Sequence, residues 1–274
     1  MMCRRPLAYG IAGVLLLGGC AVRSVPIAYV PETSRRSAGQ HDYDAAVKAI
    51  AAVMVEDLTL PQLDSALYLY PHLGSYEMGL RMELDDRPDA AARSVSFAIA
   101  SCLRRKVLAD GERLAKLSWP NRVRTVAHEM IHLAEFALAD WVCKTPHYWL
   151  MEGFAEWGAY RIIDRLGLES FANSSEDSRR GAGAQEAALP PLDRLATEAE
   201  WAAAEKKLGR QAVYSQAFLA VDFLIERKGL AVVLDYFARF RDAASRGDHF
   251  AAAFGEDVEA FQAEFGAHLQ KILM

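Results

Sequence analysis

The chain has 274 residues, of which 52% are hydrophobic, and its formal net charge is -5. This apolar share is enough for the core of one large domain or of two modest ones. A nucleic-acid-binding surface would need a basic stripe, whereas the chain is acidic and its basic clusters are short. The composition therefore argues against a nucleic-acid partner.

Residues 1–19 are predicted to be a signal peptide. A short basic stretch is followed by an apolar run, residues 7–17, that is too short to span a bilayer as a helix. The run ends in LGGC, whose cysteine is Cys20, and this sequence resembles the lipobox of bacterial lipoproteins. The resemblance implies cleavage before Cys20, lipidation of its thiol and a stable membrane anchor. Ala21 after the cysteine implies the outer membrane of the cell envelope, facing the periplasm. The alternative is a plain secretory signal with an incidental cysteine.

Two cysteines remain once the signal is removed and Cys20 is lipidated. They are Cys102 and Cys143, and an oxidising periplasm would permit a disulfide between them. The sequence gives no distance between the two thiols. We expect two separate buried thiols, with a single disulfide as the alternative.

Residues 20–40 are polar, contain two prolines and show no helical period, so we expect a tether between the lipid and the folded body. Residues 41–150 are predicted to form a small α/β subdomain. Apolar periodicity predicts its elements, in order, as a helix from Asp42, a strand at 65–70, a helix at 75–84 and a β-prone segment at 94–108. In the last segment, residues 105–108 are the predicted edge strand, which could hold an extended peptide by strand addition.

The subdomain is expected to end in a helix over residues 120–139, where apolar residues recur at helical spacing. His128 and His132 are four residues apart, so their side chains leave one face and can reach a single metal ion. Glu129 leaves the helix beside His128 and can reach a water molecule on that ion. Together they form an HExxH motif, in which two histidines bind zinc and the glutamate is a general base. The alternative is a polar helix face, which the apolar flanking residues make weaker.

A catalytic zinc needs a third protein ligand. The metzincin extension would place glycine at position 135 and histidine at position 138, but these residues are Glu135 and Leu138. Downstream, a second amphipathic helix opens with YWLMEGFAEW. HEMIH followed by this sequence resembles the gluzincin metallopeptidases, in which a glutamate of the second motif is the third zinc ligand. Glu152 matches that glutamate. The alternative is a carboxylate favoured by the N-terminal end of its helix.

The same resemblance implies roles for two more residues. Glu156 matches an acidic residue that hydrogen-bonds the first zinc histidine, and the alternative is a solvated carboxylate. Tyr214 matches a tyrosine that donates a hydrogen bond to the developing oxyanion, and the alternative is an amphipathic tyrosine on a packed helix. His147 is another candidate ligand, but it follows Pro146 outside the helical register. We therefore expect it in a loop or in the substrate cleft.

Residues 151–274 are predicted to form a mainly helical subdomain that supplies the third ligand. A polar, glycine-containing stretch at residues 173–187 predicts a flexible surface loop. Helices are predicted, in order, around 198–207, from 214 to an end near 228–229, and over most of 232–273. The fold class is therefore α+β, and the resemblance implies a zincin-like fold with a small mixed sheet ahead of the site.

These residues predict a zinc-dependent peptidase that is anchored to the envelope and acts on peptides or proteins. Zn²⁺ would activate water, and Glu129 would take its proton. The chain lacks the exopeptidase motif of the large gluzincin aminopeptidases, so the resemblance does not imply an amine-anchoring site, and endo- and exopeptidase action both stay open. Two alternatives remain: a metal-bound but non-hydrolytic lipoprotein that acts as an assembly or binding factor, and an interaction domain without metal. The base at Glu129 disfavours the first, and the ligand spacing disfavours the second.

Overall fold

A computed structural model describes residues 21–31, 33–83, 98–101 and 104–273. The predicted signal peptide, its lipidation residue Cys20, and Cys102 lie outside these ranges. None of the helices in these ranges combines the length and the apolar character that a bilayer crossing needs.

Four strands in the described ranges form one mixed sheet. They are β1 (Arg23–Ile27), β2 (Ser65–Tyr70), β3 (Ala98–Ser101) and β4 (Lys106–Asp110). Their order is β1-β2-β4-β3, in which β2 and β4 are parallel and the other two pairs are antiparallel. The predicted strand at 65–70 is confirmed.

The prediction of an edge strand at residues 105–108 is wrong, because β4 lies between β2 and β3. Val107, Leu108 and Ala109 are all buried, which is the pattern of a strand that is covered on both faces. Both backbone edges of β4 are already hydrogen-bonded, so this strand cannot accept a peptide by strand addition.

Part of the segment predicted to be a tether, residues 20–40, is folded. β1 lies within it and alternates exposed and buried residues, with Val25 and Ile27 turned into the core. Pro26 is accommodated because β1 is an edge strand of the described sheet. A 3-10 helix follows at Arg35–Gln40. A period of two over five residues is a weak sequence pattern, and a search for helical spacing misses it.

The helices predicted around the sheet are confirmed. They are α1 (Tyr43–Glu56) and α2 (Leu73–Glu83). A short helix that was not predicted, α3 (Gly111–Ala115), directly follows β4. The side chain of Asp42 caps α1 by accepting from the backbone N–H groups of Asp44 and Ala45. The α1 stripe of apolar residues is buried in the same core as β1 and β2.

The rest of the described chain is helical. Its helices are α4 (Trp119–Leu138), α5 (Tyr148–Arg165), α6 (Phe171–Gly183), α7 (Glu198–Leu208), α8 (Arg210–Lys228), α9 (Leu230–Ala238), α10 (Arg246–Phe254) and α11 (Val258–Leu273). The predicted helices over 120–139, 198–207 and 214–228 correspond to α4, α7 and α8. A small sheet followed by a helical C-terminal part confirms the α+β class.

Two glycines bring α5 close to its neighbours on both sides. A Cβ atom at Gly158 would lie 2.8 Å from Cδ1 of Ile131 on α4. A Cβ atom at Gly153 would overlap the backbone carbonyl oxygen of Ala217 on α8. Since only hydrogen fits at either position, α5 is held between the helix with the HExxH motif and the helix with Tyr214.

The prediction of a flexible loop at residues 173–187 is wrong, because α6 covers most of this segment. Its small residues are buried against α8: a Cβ atom at Gly181 would lie 2.5 Å from Oγ of Ser215. The buried hydroxyl of Ser178 donates to the backbone carbonyl of Ser174 at 2.9 Å, so its hydrogen bond is made within the helix. Serine and glycine here permit close helix packing, although their composition is typical of loops.

Cys143 is exposed and disulfide-bonded. The expectation of two separate buried thiols is therefore wrong for this residue. The other three cysteines of the chain, and so the partner of Cys143, lie outside the described residues.

Candidate metal centre

His128, His132 and Glu152 meet where α4 and α5 pack together. The Nε2 atoms of the two histidines are 3.2 Å apart. Oε2 of Glu152 lies 3.3 Å from Nε2 of His128 and 3.7 Å from Nε2 of His132. The three side chains are buried, with 7%, 7% and 6% of each residue exposed. The structure thus brings the three predicted ligands to one place, where they could hold a metal ion.

The outer nitrogen of each histidine faces a carboxylate. Nδ1 of His128 is 3.1 Å from Oε2 of Glu156, and Nδ1 of His132 is 2.8 Å from Oε2 of Glu135. A carboxylate at Nδ1 accepts the proton of that nitrogen, so the Nε2 atom of each neutral ring carries a lone pair. Two lone pairs and the Glu152 carboxylate then point at one small space, an arrangement that a cation stabilises.

The separations of these three atoms fit zinc. A tetrahedral zinc site with metal–ligand distances of about 2.0–2.1 Å separates its ligand atoms by about 3.3–3.4 Å. The observed separations of 3.2, 3.3 and 3.7 Å lie around that value. Two imidazoles and one carboxylate are also a donor set that catalytic zinc uses. The residues present therefore fit the metal that the sequence predicts.

Without a cation, the same arrangement favours protonation of the two histidines. Burial lowers the pKa of His128, but its hydrogen bonds to Glu152 and Glu156 outweigh burial and raise the pKa to about 9. The pKa of His132 is also raised, because the carboxylates of Glu135 and Glu152 outweigh the effect of burial. Metal binding must displace these protons, so the affinity for a metal rises with pH.

Glu156 lies where the resemblance places it, and it is held from the other side as well. Its Oε1 accepts from Nη1 of Arg124 at 3.0 Å, and the same Nη1 lies 3.2 Å from Oη of Tyr160. Burial raises the pKa of Glu156, but the bond to His128 and the charge of Arg124 outweigh it and lower the pKa to about 2. Arg124 and Tyr160 were not predicted. Each lies one helical turn from a site residue, which is the spacing that could have indicated them.

Glu135 was considered only as a departure from the metzincin pattern, and its contact with His132 was not predicted. Its side chain is on the buried face of α4, with 3% of the residue exposed, and in the described part of the chain its Oε1 has no hydrogen-bond partner. Burial raises the pKa of Glu135 to about 7, against the lowering effect of His132. Glu135 lies three residues after His132 on one helix, and this spacing could have indicated their contact.

Glu129 lies beside the ligands without being one of them. It is buried, and among the described residues its carboxylate makes no hydrogen bond or ion pair. Tyr76 of α2 is near it: burial and then the charge of Glu129 raise the pKa of the Tyr76 hydroxyl, which has no hydrogen-bond partner within the ranges that the structure describes. The Glu129 carboxylate is therefore free to act on a molecule that enters the site.

Aromatic residues of α5, α7 and α8 lie beside the site. The ring of Tyr214 lies 6.0 Å from that of His128. Trp201 packs against Tyr214 at 5.0 Å and against Tyr148 at 5.5 Å. Burial and then the charge of Glu152 raise the pKa of both tyrosines, so both phenols are protonated at neutral pH. Tyr148 and Trp201 were not predicted, because their proximity depends on how α7 packs against α5.

His147 precedes α5 as expected, but its side chain is in the core and not in a cleft. Its Nδ1 and its backbone nitrogen both lie 2.9 Å from Oη of Tyr236, and Phe250 packs edge-on against its ring. Burial and then the charge of Arg246 lower the pKa of His147 to about 4. His147 is therefore a neutral structural histidine and not a metal ligand.

No protein-family model, curated protein or solved structure matches this chain. The interpretation of the site therefore depends on its own geometry. That geometry defines the class of protein: an α+β chain with a buried group of two histidines and one glutamate that could hold a metal ion.

Proposed function

We propose that this chain is a zinc-dependent peptidase with a gluzincin-type site in a zincin-like fold. One observation carries the proposal. Three ligand atoms lie 3.2–3.7 Å apart around one space. The carboxylate of Glu129 is buried, lies outside the ligand group and makes no hydrogen bond or ion pair with any residue that the structure describes. A purely structural metal site would have no use for that carboxylate.

Hydrolysis needs the following division of roles. When held by His128, His132 and Glu152, zinc would supply Lewis acidity that polarises a peptide carbonyl and activates water. Glu129 takes a proton from the attacking water as the oxygen of that water bonds to the carbonyl carbon. Glu129 then gives the proton to the nitrogen of the breaking C–N bond, which releases an acid and an amine. The hydroxyl of Tyr214 donates a hydrogen bond to the carbonyl oxygen as it becomes negative.

The proposed location follows from the N-terminal sequence. Lipidation at Cys20 would attach the chain to the bacterial envelope, at the outer membrane and facing the periplasm. The substrate is then a peptide or protein of that compartment. An exposed disulfide-bonded Cys143 is in keeping with an oxidising compartment.

Replacing Glu129 by glutamine tests the proposal. The change keeps the size of the side chain and removes its ability to accept a proton, so zinc content should stay near that of the wild type. Cleavage of an unstructured protein should fall by about 10²–10⁴-fold or more. Glu112→Gln, at an exposed glutamate of α3, is the matched control and should cleave like the wild type.

Two results would contradict the proposal in different ways. If Glu129→Gln cleaves as fast as the wild type at equal zinc content, Glu129 is not the base. If the zinc-loaded wild type cleaves no member of a broad peptide library, the chain is a metal-bound lipoprotein without hydrolytic activity.

A further inference from the structure

Arg210 and Tyr214 form a pair on α8 that faces the candidate metal centre. Arg210 is the first residue of the helix, and Tyr214 lies one turn further on. Nη2 of Arg210 donates to Oη of Tyr214 at 3.1 Å, and the guanidinium carbon lies 4.6 Å from the centre of the tyrosine ring. A guanidinium group has no acceptor, so the tyrosine oxygen is the acceptor in this bond. The proton of the phenol is thus left for a different acceptor.

The ring of Tyr214 is fixed on its other sides. The buried Trp201 of α7 meets it edge-on at 5.0 Å, and His128 is 6.0 Å away. Gly209 separates α7 from α8 with a φ of 86°, a backbone conformation that favours glycine. This turn brings Trp201 of α7 against the ring that Arg210 contacts from within α8. Tyr214 therefore has a fixed place beside the metal ligands.

We propose that Arg210 is a positioning residue, which holds Tyr214 so that its hydroxyl donates toward the metal-ligand face. In peptide hydrolysis, the carbonyl oxygen that gains negative charge is the acceptor for that proton, which stays on the phenol throughout. Arg210 acts through Tyr214 and not on the substrate. This inference rests on the proposed function, because it assigns to Arg210 a part in the same reaction.

Kinetics of four chains test the inference: the wild type, Arg210→Gln, Tyr214→Phe and the double variant. Arg210→Gln should lower kcat by about 10-fold and change KM by less than about 2-fold, since only the transition state uses the aligned hydroxyl. In the Tyr214→Phe background the same change should have less than about a 2-fold effect, because no hydroxyl remains to be aligned. Equal effects in both backgrounds, or none, would overturn the inference.

Arg227→Gln is the matched control. Arg227 is on the same helix, lies one turn after Phe223, and its guanidinium carbon is 5.3 Å from the centre of that ring. It thus places a guanidinium group over an aromatic ring of α8 away from the site, and its other partners are the carboxylates of Glu256 and Glu264. Its replacement should leave kcat unchanged.

A second readout needs neither metal nor substrate. In the metal-free chain labelled with [¹³Cζ]tyrosine, the resonance that disappears in Tyr214→Phe is that of Tyr214. Arg210→Gln should move this resonance, because the phenol oxygen loses a charged donor, and Arg227→Gln should not. An unmoved resonance would overturn the inference even if the chain is an active peptidase. A zinc-loaded wild type that cleaves nothing would instead overturn the proposed function, and with it the catalytic part assigned to Arg210.

Discussion

The carboxylate of Glu135 accepts a hydrogen bond from Nδ1 of His132 at 2.8 Å, and Glu135 lies three residues after His132 on the same helix. Glu156 of α5 makes the corresponding contact with Nδ1 of His128 at 3.1 Å. Both candidate histidine ligands thus have their rings fixed by a carboxylate, which sets the direction of the Nε2 lone pair and strengthens it. The two carboxylates differ in their other contacts, because Glu156 accepts from Arg124 whereas Oε1 of Glu135 has no hydrogen-bond partner among the described residues.

We expect Glu135→Ala to weaken zinc binding by about 10–100-fold, because His132 loses the acceptor that fixes its ring. Zinc Kd, measured by competition with a chromophoric chelator, checks this. Glu176→Ala, at an exposed glutamate of α6, is the control and should leave Kd unchanged. A Kd for Glu135→Ala that equals the wild-type value would show that the contact does not support the metal.

The choice of the third ligand predicts a specific loss of metal. The wild type should hold about one zinc per chain, and His132→Ala and Glu152→Ala should both lose it on dialysis. Glu156→Ala should retain zinc with lower affinity, since Glu156 contacts a ligand and not the ion. Metal analysis by mass spectrometry decides the matter, and full occupancy in Glu152→Ala would exclude Glu152 as the ligand.

His147 predicts a pH dependence of stability. Its pKa is about 4 in the fold, against 6.5 for an ordinary histidine. Above pH 6.5 His147 is neutral in both the folded and the unfolded chain, so its contribution to the free energy of unfolding is at its maximum. Between pH 6.5 and 4 only the unfolded chain binds it, so the free energy of unfolding decreases by up to about 3 kcal/mol.

Urea unfolding of the metal-free chain measures this decrease. In His147→Gln the part due to this residue should vanish, so the wild type and the variant should converge in stability as the pH falls. Parallel curves for the wild type and His147→Gln would refute the prediction.

Gly153 predicts a steric effect at the contact between α5 and α8. A methyl group there would meet the carbonyl oxygen of Ala217, which is backbone and cannot rotate away. Gly153→Ala should therefore destabilise the chain by about 1–3 kcal/mol, despite the better helix propensity of alanine. Gly266→Ala in α11 has open space around it and should be neutral or stabilising. Thermal unfolding of both variants gives the comparison, and a Gly153→Ala variant as stable as Gly266→Ala would contradict the proposed packing.

The lipobox predicts that Cys20→Ser removes the anchor. The variant should take up no labelled fatty acid and should leave the membrane fraction, whereas Cys143→Ser should remain membrane-bound. A wild type without fatty acid label, together with a membrane-bound Cys20→Ser, would refute lipidation at this residue.

Long segments with a clear apolar period were predictable, and short or compositionally misleading ones were not. α1, α4 and α8 follow from spacing alone, because a buried helix face repeats over several turns. The sequence of α6 looks like a loop, because its serines and glycines serve close packing against α8. The interior place of β4 depends on β3, which is distant from β2 in sequence, so periodicity could not reveal it.

The residues of the site also differ in whether the sequence could predict them. His128, His132 and Glu129 are fixed by spacing on one helix, and the resemblance then indicated Glu152, Glu156 and Tyr214. Glu135 was within reach of the same spacing argument. Trp201 meets Tyr214 only through the turn between α7 and α8, which is a tertiary contact that one sequence does not encode locally. Arg210 lies one helical turn from Tyr214, and Tyr148 lies one turn from Glu152, so the same spacing could have indicated both.

The early start of β1 has a consequence for how the chain would sit on a membrane. If Cys20 carries the lipid, only Ala21 and Val22 separate it from Arg23, the first residue of the strand. Three peptide steps span at most about 11 Å, so the linker between the lipid and the sheet would be very short, and the sheet would lie next to the lipid headgroups. Val22, an exposed apolar residue, would be among the parts nearest the bilayer. The candidate metal centre would then be confined to a thin layer above the membrane, and under the proposed function a substrate would have to enter that layer to be cleaved.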